Sequence, residues 1–196
     1  VLNMGSNMEK TCSKAVIALG ANLSLRGNGP KVILEQSITA LGKAGLVIRS
    51  QSRFFATPCF PAGAGPDYVN AAVLVETDLT PEAVLALLHE IEHEFGRERI
   101  QRWGMRTLDL DLVSWDDLVL PDRAEFDRWR TLPAHTQTQK APDQLILPHP
   151  RLQDRAFVLV PMADVAPGWC HPVLGRTVTE MVAALPVEDV TAVTPL

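Results

Sequence analysis

Apolar positions along the chain switch between two spacings. Residues 15–19 (AVIAL) form an unbroken apolar run closed by Gly20 and Asn22, which predicts a buried first strand. Pro30 then opens a stretch where Val32, Ile33, Ser37, Ala40 and Leu41 fall near helical spacing, with Gly42 and Gly45 at its end. Residues 46–56 mix β-branched, aromatic and polar side chains and predict a second strand. Residues 57–66 (TPCFPAGAGP) hold three prolines and two glycines, so a long loop is expected. Residues 68–76 (YVNAAVLVE) predict a third strand. Thr80, Pro81 and Glu82 make a strong helix start: a capping hydroxyl, a proline in the first turn, and an acid at the positive end of the dipole. Val84, Leu87, Leu88, Ile91 and Phe95 form its apolar stripe, and Gly96 ends it. Residues 97–105 read as a polar loop and residues 107–113, alternating strictly, as a fourth strand. Beyond them the pattern weakens through 115–144. A short edge strand is expected at 145–147, a helix at 154–163 with Pro161 near its end, and a last helix from Thr177 to Leu185.

The order strand–helix–strand–strand–helix–strand predicts an α+β fold. Its core is a ferredoxin-like βαββαβ unit, an antiparallel sheet flanked by helices that pack on one of its faces. One domain is expected over residues 15–185. A flexible leader (1–14) precedes it, a surface excursion with little to bury (121–144) interrupts it, and a frayed tail (186–196) follows. Such a fold decides no function.

Composition narrows the class. At 46% hydrophobic and 21% charged residues the chain is too apolar for wholesale disorder. No apolar run approaches the ~18 residues of a membrane span, and the leader has no apolar core, so neither a membrane protein nor a secretory signal is expected. Cys12, Cys59 and Cys170 are too scattered for a disulfide framework, which points to a reducing, cytoplasmic setting. The net charge of -5 argues against a nucleic-acid partner. Yet Arg97, Arg99, Arg102 and Arg106 concentrate four of the eighteen basic residues in ten positions, the mark of a local anion.

Several clusters could carry chemistry. Asp109 and Asp111 share one strand face while Leu108, Leu110 and Leu112 share the other. Such a carboxylate pair is either a solvated face or a seat for a hard cation such as Mg²⁺, completed by phosphate oxygens. The arginine segment is either a solvated loop or a phosphate clamp. His89-Glu90-Ile91-Glu92-His93 matches the zinc-protease pattern, but Arg99 stands at the third ligand position and both histidines fall opposite the apolar stripe. Phe60 and Tyr68 flank the Pro/Gly loop, and Asn70 shares the face of Tyr68, where an amide could read a heterocycle edge or simply be a satisfied polar residue. His149 and Arg155 are either a second phosphate group or part of a turn into a helix.

Together these blocks resemble the 6-hydroxymethyl-7,8-dihydropterin pyrophosphokinase family. The resemblance rests on Ala18-Leu-Gly-Ala-Asn-Leu23, Thr57-Pro58, Asp67-Tyr-Val-Asn-Ala-Ala72, Glu92 with Gly96-Arg97, Arg102-Trp-Gly-Met-Arg-Thr-Leu-Asp-Leu-Asp111, Leu147-Pro-His-Pro-Arg-Leu152 and Arg155-Ala-Phe157. It spans roughly residues 15–185 and implies transfer of a pyrophosphoryl group from ATP to the pterin hydroxymethyl group, releasing AMP, in folate biosynthesis. By the resemblance, Asp109 and Asp111 hold two Mg²⁺ ions, and Arg97 and Arg106 are catalytic, neutralising the triphosphate. Arg99, His149 and Arg155 bind the nucleotide, with Glu92, Leu112 and Ile146. Tyr68 and Phe157 sandwich the pterin, Asn70 bonds its amide edge, and Thr57, Pro58 and Phe60 supply loop contacts. Trp103 sits on a loop that closes over both substrates. ATP and the pterin are the implied partners, and a monomer is expected. The sequence departs from the family pattern at Met105, usually proline or a small residue, and at Pro150, a tyrosine in some members.

Overall fold

The computed structural model of the protein describes residues 12–59, 65–96, 106–133, 136 and 142–196. Five strands and two helices build the first part of the fold: β1 (Ser13–Ala21), α1 (Pro30–Lys43), β2 (Val47–Gln51), β3 (Phe55–Thr57), β4 (Tyr68–Thr77), α2 (Pro81–Glu94) and β5 (Asp109–Trp115). Then come α3 (Arg123–Arg130), a 3-10 turn (Leu152–Asp154), α4 (Ala156–Val165), α5 (Val178–Ala184), α6 (Val187–Thr191) and β6 (Thr194–Pro195). The sheet runs β5-β1-β4-β3-β6, with β2 also on β4, and every pairing is antiparallel. No described helix is long and apolar enough to cross a membrane.

Helices cover both faces of the sheet, not the single face expected. On one face Ile17, Leu19, Val73, Val75, Leu110 and Leu112 pack with Ile33 and Leu34 of α1 and Leu88 and Ile91 of α2. On the other, Val16, Ala18, Ala72 and Val113 pack with Val158, Leu159 and Met162 of α4 and Met181 of α5. The reason is legible in β1 and β4. Their apolar runs are continuous rather than alternating, so each strand presents an apolar surface on both sides.

Local signals explain most elements. Thr80 Oγ1 accepts the Ala83 N–H at 3.2 Å and Pro81 opens α2, as expected. The expected second strand is split. Ser52 Oγ accepts the Ala72 N–H at 2.8 Å, replacing a ladder bond with a side-chain one, and the chain kinks into β2 and β3. In β5 a bulge brings Ser114 opposite Val16 but Leu112 opposite Ile17, so Val113 is the extra residue. Strict alternation ends there, and Trp115 returns to the face of Leu112.

Two segments are more ordered than expected. Within 121–144, α3 is capped by Asp122, whose carboxylate accepts the Glu125 N–H at 2.9 Å. It buries Phe126 and Trp129 against Ile146. Two aromatic side chains at about 1.5–3 kcal/mol each are enough to hold a helix that is otherwise polar. The tail forms α6 and β6 instead of fraying, and residues 145–147 contribute one isolated bridge, Leu120 to Leu147, rather than a strand.

Candidate active site

The start of β5 and the neighbouring ends of β1 and β4 make a polar patch near the start of α4. Asp109 lies opposite Gly20 and Asp111 opposite Ala18, while Gly20 lies opposite Asn70 on its other side. One row across the sheet therefore reads Asn70, Gly20, Asp109. The small residues between the polar ones form a shallow floor. A Cβ on Gly20 would come within 3.1 Å of Asn70 Oδ1, so glycine sets the space available to that amide. The amide is anchored at its other end: Asn70 Nδ2 donates to Thr57 Oγ1 at 2.7 Å. Tyr68, paired with Thr57, stands at the rim. Burial pushes its hydroxyl above the usual range, partly opposed by the Arg106 cation beside it.

Asn22, buried just after β1, fixes Arg106. The Arg106 N–H donates to Asn22 Oδ1 at 2.8 Å, the Asn22 N–H donates back to the Arg106 carbonyl at 3.0 Å, and Asn22 Nδ2 donates to the Pro66 carbonyl at 3.2 Å. One side chain thus ties the approach to β5 to the approach to β4. The Arg106 guanidinium forms an ion pair with the Asp109 carboxylate.

The loop before α4 supplies the opposite wall. The His149 N–H donates to the Val113 carbonyl at 2.9 Å, pinning the loop to the outer edge of β5. His149 Nδ1 accepts the Arg151 N–H at 3.1 Å, which leaves the proton of the neutral ring on Nε2. Burial, and then the Arg155 cation, push this imidazole down to about 3, against the pull of Asp109. Arg155 is itself shifted down by burial while Asp111 and Asp109 hold its charge in place. Its guanidinium lies 5.7 Å over the ring of Phe157, a half-exposed aromatic at the start of α4. Arg151 acts electrostatically on both His149 and Arg155.

The structure therefore gathers Thr57, Tyr68, Asn70, Arg106, Asp109, Asp111, His149, Arg155 and Phe157 of the sequence candidates, with Pro58 exposed beside Thr57. Three others turn away. Leu112 faces the α1–α2 core, and Ile146 is buried under α3. Glu92 is 1% exposed and its carboxylate accepts the Leu110 N–H at 2.8 Å. It grips the edge of β5 between the two aspartates. Phe60, Arg97, Arg99 and Trp103 lie outside the described residues, as does Met105. His89 and His93 are exposed on the outer side of α2. Sequence reasoning missed Arg151, Asn22 and Gly20 as working parts, although all three stand inside the quoted blocks.

Chemically, the Arg106 and Arg155 guanidinium groups and two carboxylates converge on one floor, with Arg151, paired to Asp154 at 2.9 Å, near it, which favours a polyanion carrying a hard cation. Among the described residues no group of three or more His, Cys, Asp or Glu could hold a metal ion. Two carboxylates without further protein ligands fit Mg²⁺, which keeps water and phosphate oxygens in its shell.

A family model described as 7,8-dihydro-6-hydroxymethylpterin-pyrophosphokinase matches residues 16–167. The chain is 33% identical over 192 residues to 2-amino-4-hydroxy-6-hydroxymethyldihydropteridine pyrophosphokinase of a Synechocystis species, covering 97% of this chain and 84% of that protein. It is 34% identical over 180 residues to the protein of the same name from Pseudomonas aeruginosa, covering 90% and 94%. Among solved structures, wild-type HPPK-DHPS of Plasmodium falciparum superposes with a TM-score of 0.61 at 15% identity, over 88% of this chain. The match spans only 44% of that longer chain, so the likeness is one of fold.

Proposed function

We infer from its family, for the chain belongs to the 7,8-dihydro-6-hydroxymethylpterin-pyrophosphokinases, that it is an ATP-dependent pyrophosphokinase. It transfers the pyrophosphoryl group of ATP to the hydroxymethyl group of 6-hydroxymethyl-7,8-dihydropterin, a step of folate biosynthesis. The observation that carries the assignment to this site is the row Asn70, Gly20, Asp109, with His149 and Arg155 facing it.

In this reading the pterin lies flat between Tyr68 and Phe157, and the Asn70 amide, held by Thr57, meets its donor–acceptor edge. Asp109 and Asp111 would hold Mg²⁺ ions, which supply charge neutralisation and alignment of the triphosphate. Arg155 and Arg151 bind the nucleotide phosphates. Neutral His149 donates from Nε2 to the same phosphates, and no proton has to be lost first. Arg106 is held by its backbone to Asn22, so its guanidinium is free to exchange the Asp109 carboxylate for phosphate charge as the bond to the β-phosphorus forms. Arg97, Arg99, Phe60 and Trp103 take the roles that the resemblance gives them: charge neutralisation, nucleotide binding, a pterin contact and closure of the site against water. The placement of β2 and β3 on one side of β4 supports a ferredoxin-like core with one interrupted strand. The scattered cysteines support a reducing, cytoplasmic setting.

The test is product mass after incubation with ATP, Mg²⁺ and the hydroxymethyl pterin. AMP and the pterin diphosphate should appear together, and Asp111→Ala should remove both while circular dichroism stays native. Release of ADP, or an active Asp111→Ala protein, would overturn the assignment.

A further inference from the structure

The C-terminal strand touches no candidate substrate group, yet it is built into the wall of the site. β3 is only three residues long and carries Thr57, the anchor of the Asn70 amide. One edge of β3 pairs with β4. The other pairs with β6, with Phe55 opposite Pro195 and Ala56 opposite Thr194. The Leu196 N–H donates to the Phe54 carbonyl at 2.9 Å, and Thr194 Oγ1 donates to the Ala56 carbonyl at 3.4 Å. So short a strand has few ladder bonds of its own, and β6 supplies a second set.

Packing extends the link to the opposite wall. Val193 is buried with Phe55 and Ala156 in a small cluster of its own, flanked by Val160 and Leu185. Ala156 lies between Arg155 and Phe157, so the cluster joins the strand bearing Thr57 to the helix end bearing the exposed aromatic. The Arg53–Asp164 pair ties the same strand segment to the far end of α4 through two charge-assisted bonds at 2.9 Å. That pair lies on the surface and is screened, so it does not replace the buried cluster.

We propose that residues 193–196 act as a strut that sets the width of the pterin slot, making Val193 and Leu196 positioning residues for the pterin and not for ATP. This rests on the pyrophosphokinase reading for the identity of the ligand. Loss of the strut lets β3 shift against α4, which widens the gap between Thr57–Asn70 and Phe157. Of the nucleotide groups, Arg106, Asp109, Asp111 and His149 stand on or just before β5 and on the loop pinned to Val113, away from β3, while Arg155, the neighbour of Ala156, is held by its own backbone bonds to Leu152, Val158 and Leu159.

The full chain is compared with three variants: Val193→Ala, Leu196→Pro, which removes the one N–H donated to Phe54, and a chain ending after Ala192. Equilibrium dissociation constants are measured separately for the pterin and for MgATP, and hydrogen exchange is followed across residues 55–57 and 13–21. The pterin constant should rise by about tenfold in the shortened chain and by a few-fold in the point variants, with the MgATP constant within about twofold. Exchange should accelerate in β3 and not in β1. An unchanged pterin constant overturns the proposal, and so does a parallel loss for both ligands, which would mark general loosening. If the shortened chain does not fold, Leu196→Pro decides by the same criteria. A parent protein that binds no pterin would bring down the functional reading instead, and β3 exchange would still report whether the strand is braced.

Discussion

His149 and His171 begin from the same local device. Each precedes a proline, and each has its Nδ1 accepting the N–H of the residue two positions on, at 3.1 Å in both cases. Each imidazole is pushed down by burial, His149 to about 3 and His171 to about 4. Their surroundings part them. His149 stands within electrostatic reach of Asp109 and Arg155. His171 is fully buried, with the rings of Phe126 and Trp169 at 5.5 and 5.6 Å, and its Nε2 has no hydrogen-bond partner among the described residues. In the proposed function one turn thus serves as a neutral donor for phosphate in one place, while in the other it makes a packing piece under α3. What an imidazole does here is set by what the chain brings against it.

That contrast can be broken by substitution. His149→Ala should lower turnover by about 100-fold or more while the melting temperature holds, because a positioned donor to developing charge is lost. A matching loss of stability would make His149 a structural residue like its counterpart. His171→Ala should do the reverse. It removes a buried ring packed on two aromatics and should cost about 2–4 kcal/mol of unfolding free energy, with kcat of the folded protein unchanged within about twofold. Denaturant titration alongside AMP release reads both quantities.

Acidity sharpens the comparison further. The folded pKa of His171 lies below its unfolded value, so the unfolded chain binds the proton first. Its contribution to stability is complete above an unfolded pKa of about 6.5 and is lost as pH falls from there toward about 4. His171→Phe should flatten that part of the curve of urea midpoint against pH. An unaltered slope would mean that the ring is not held neutral by the fold. The smallest effect is expected at the floor. Gly20→Ala should push on Asn70 Oδ1 and raise the pterin KM a few-fold, leaving the ATP KM nearly unchanged. Equal change in both would show that the glycine serves the strand and not the slot.

Much of this architecture is readable from the chain. The apolar runs of β1 and β4, the capped stripe of α2 and the alternation that aims Asp109 and Asp111 to one side all depend on neighbours within a turn or a pleat. What the chain alone does not show depends on distant residues. Leu112 and Ile146 read as nucleotide contacts by their place in the resemblance, but the α1–α2 core and α3 take their side chains. Glu92 reads the same way, and the structure adds that its carboxylate accepts the Leu110 N–H at the edge of β5. Residues 121–144 read as having little to bury, because the partner of Phe126 and Trp129, Ile146, lies further along the chain.

Taken alone, the sequence determined the family, the carboxylate pair and the run of elements, since spacing and capping are short-range geometry. Only the tertiary structure decided that helices cover both sheet faces, that Asn22 holds Arg106, that two His-Pro turns have opposite fates, and that the tail braces β3. Burial and electric field are sums over atoms brought together from far along the chain, as when Leu196 meets Phe54, and no local pattern encodes those sums.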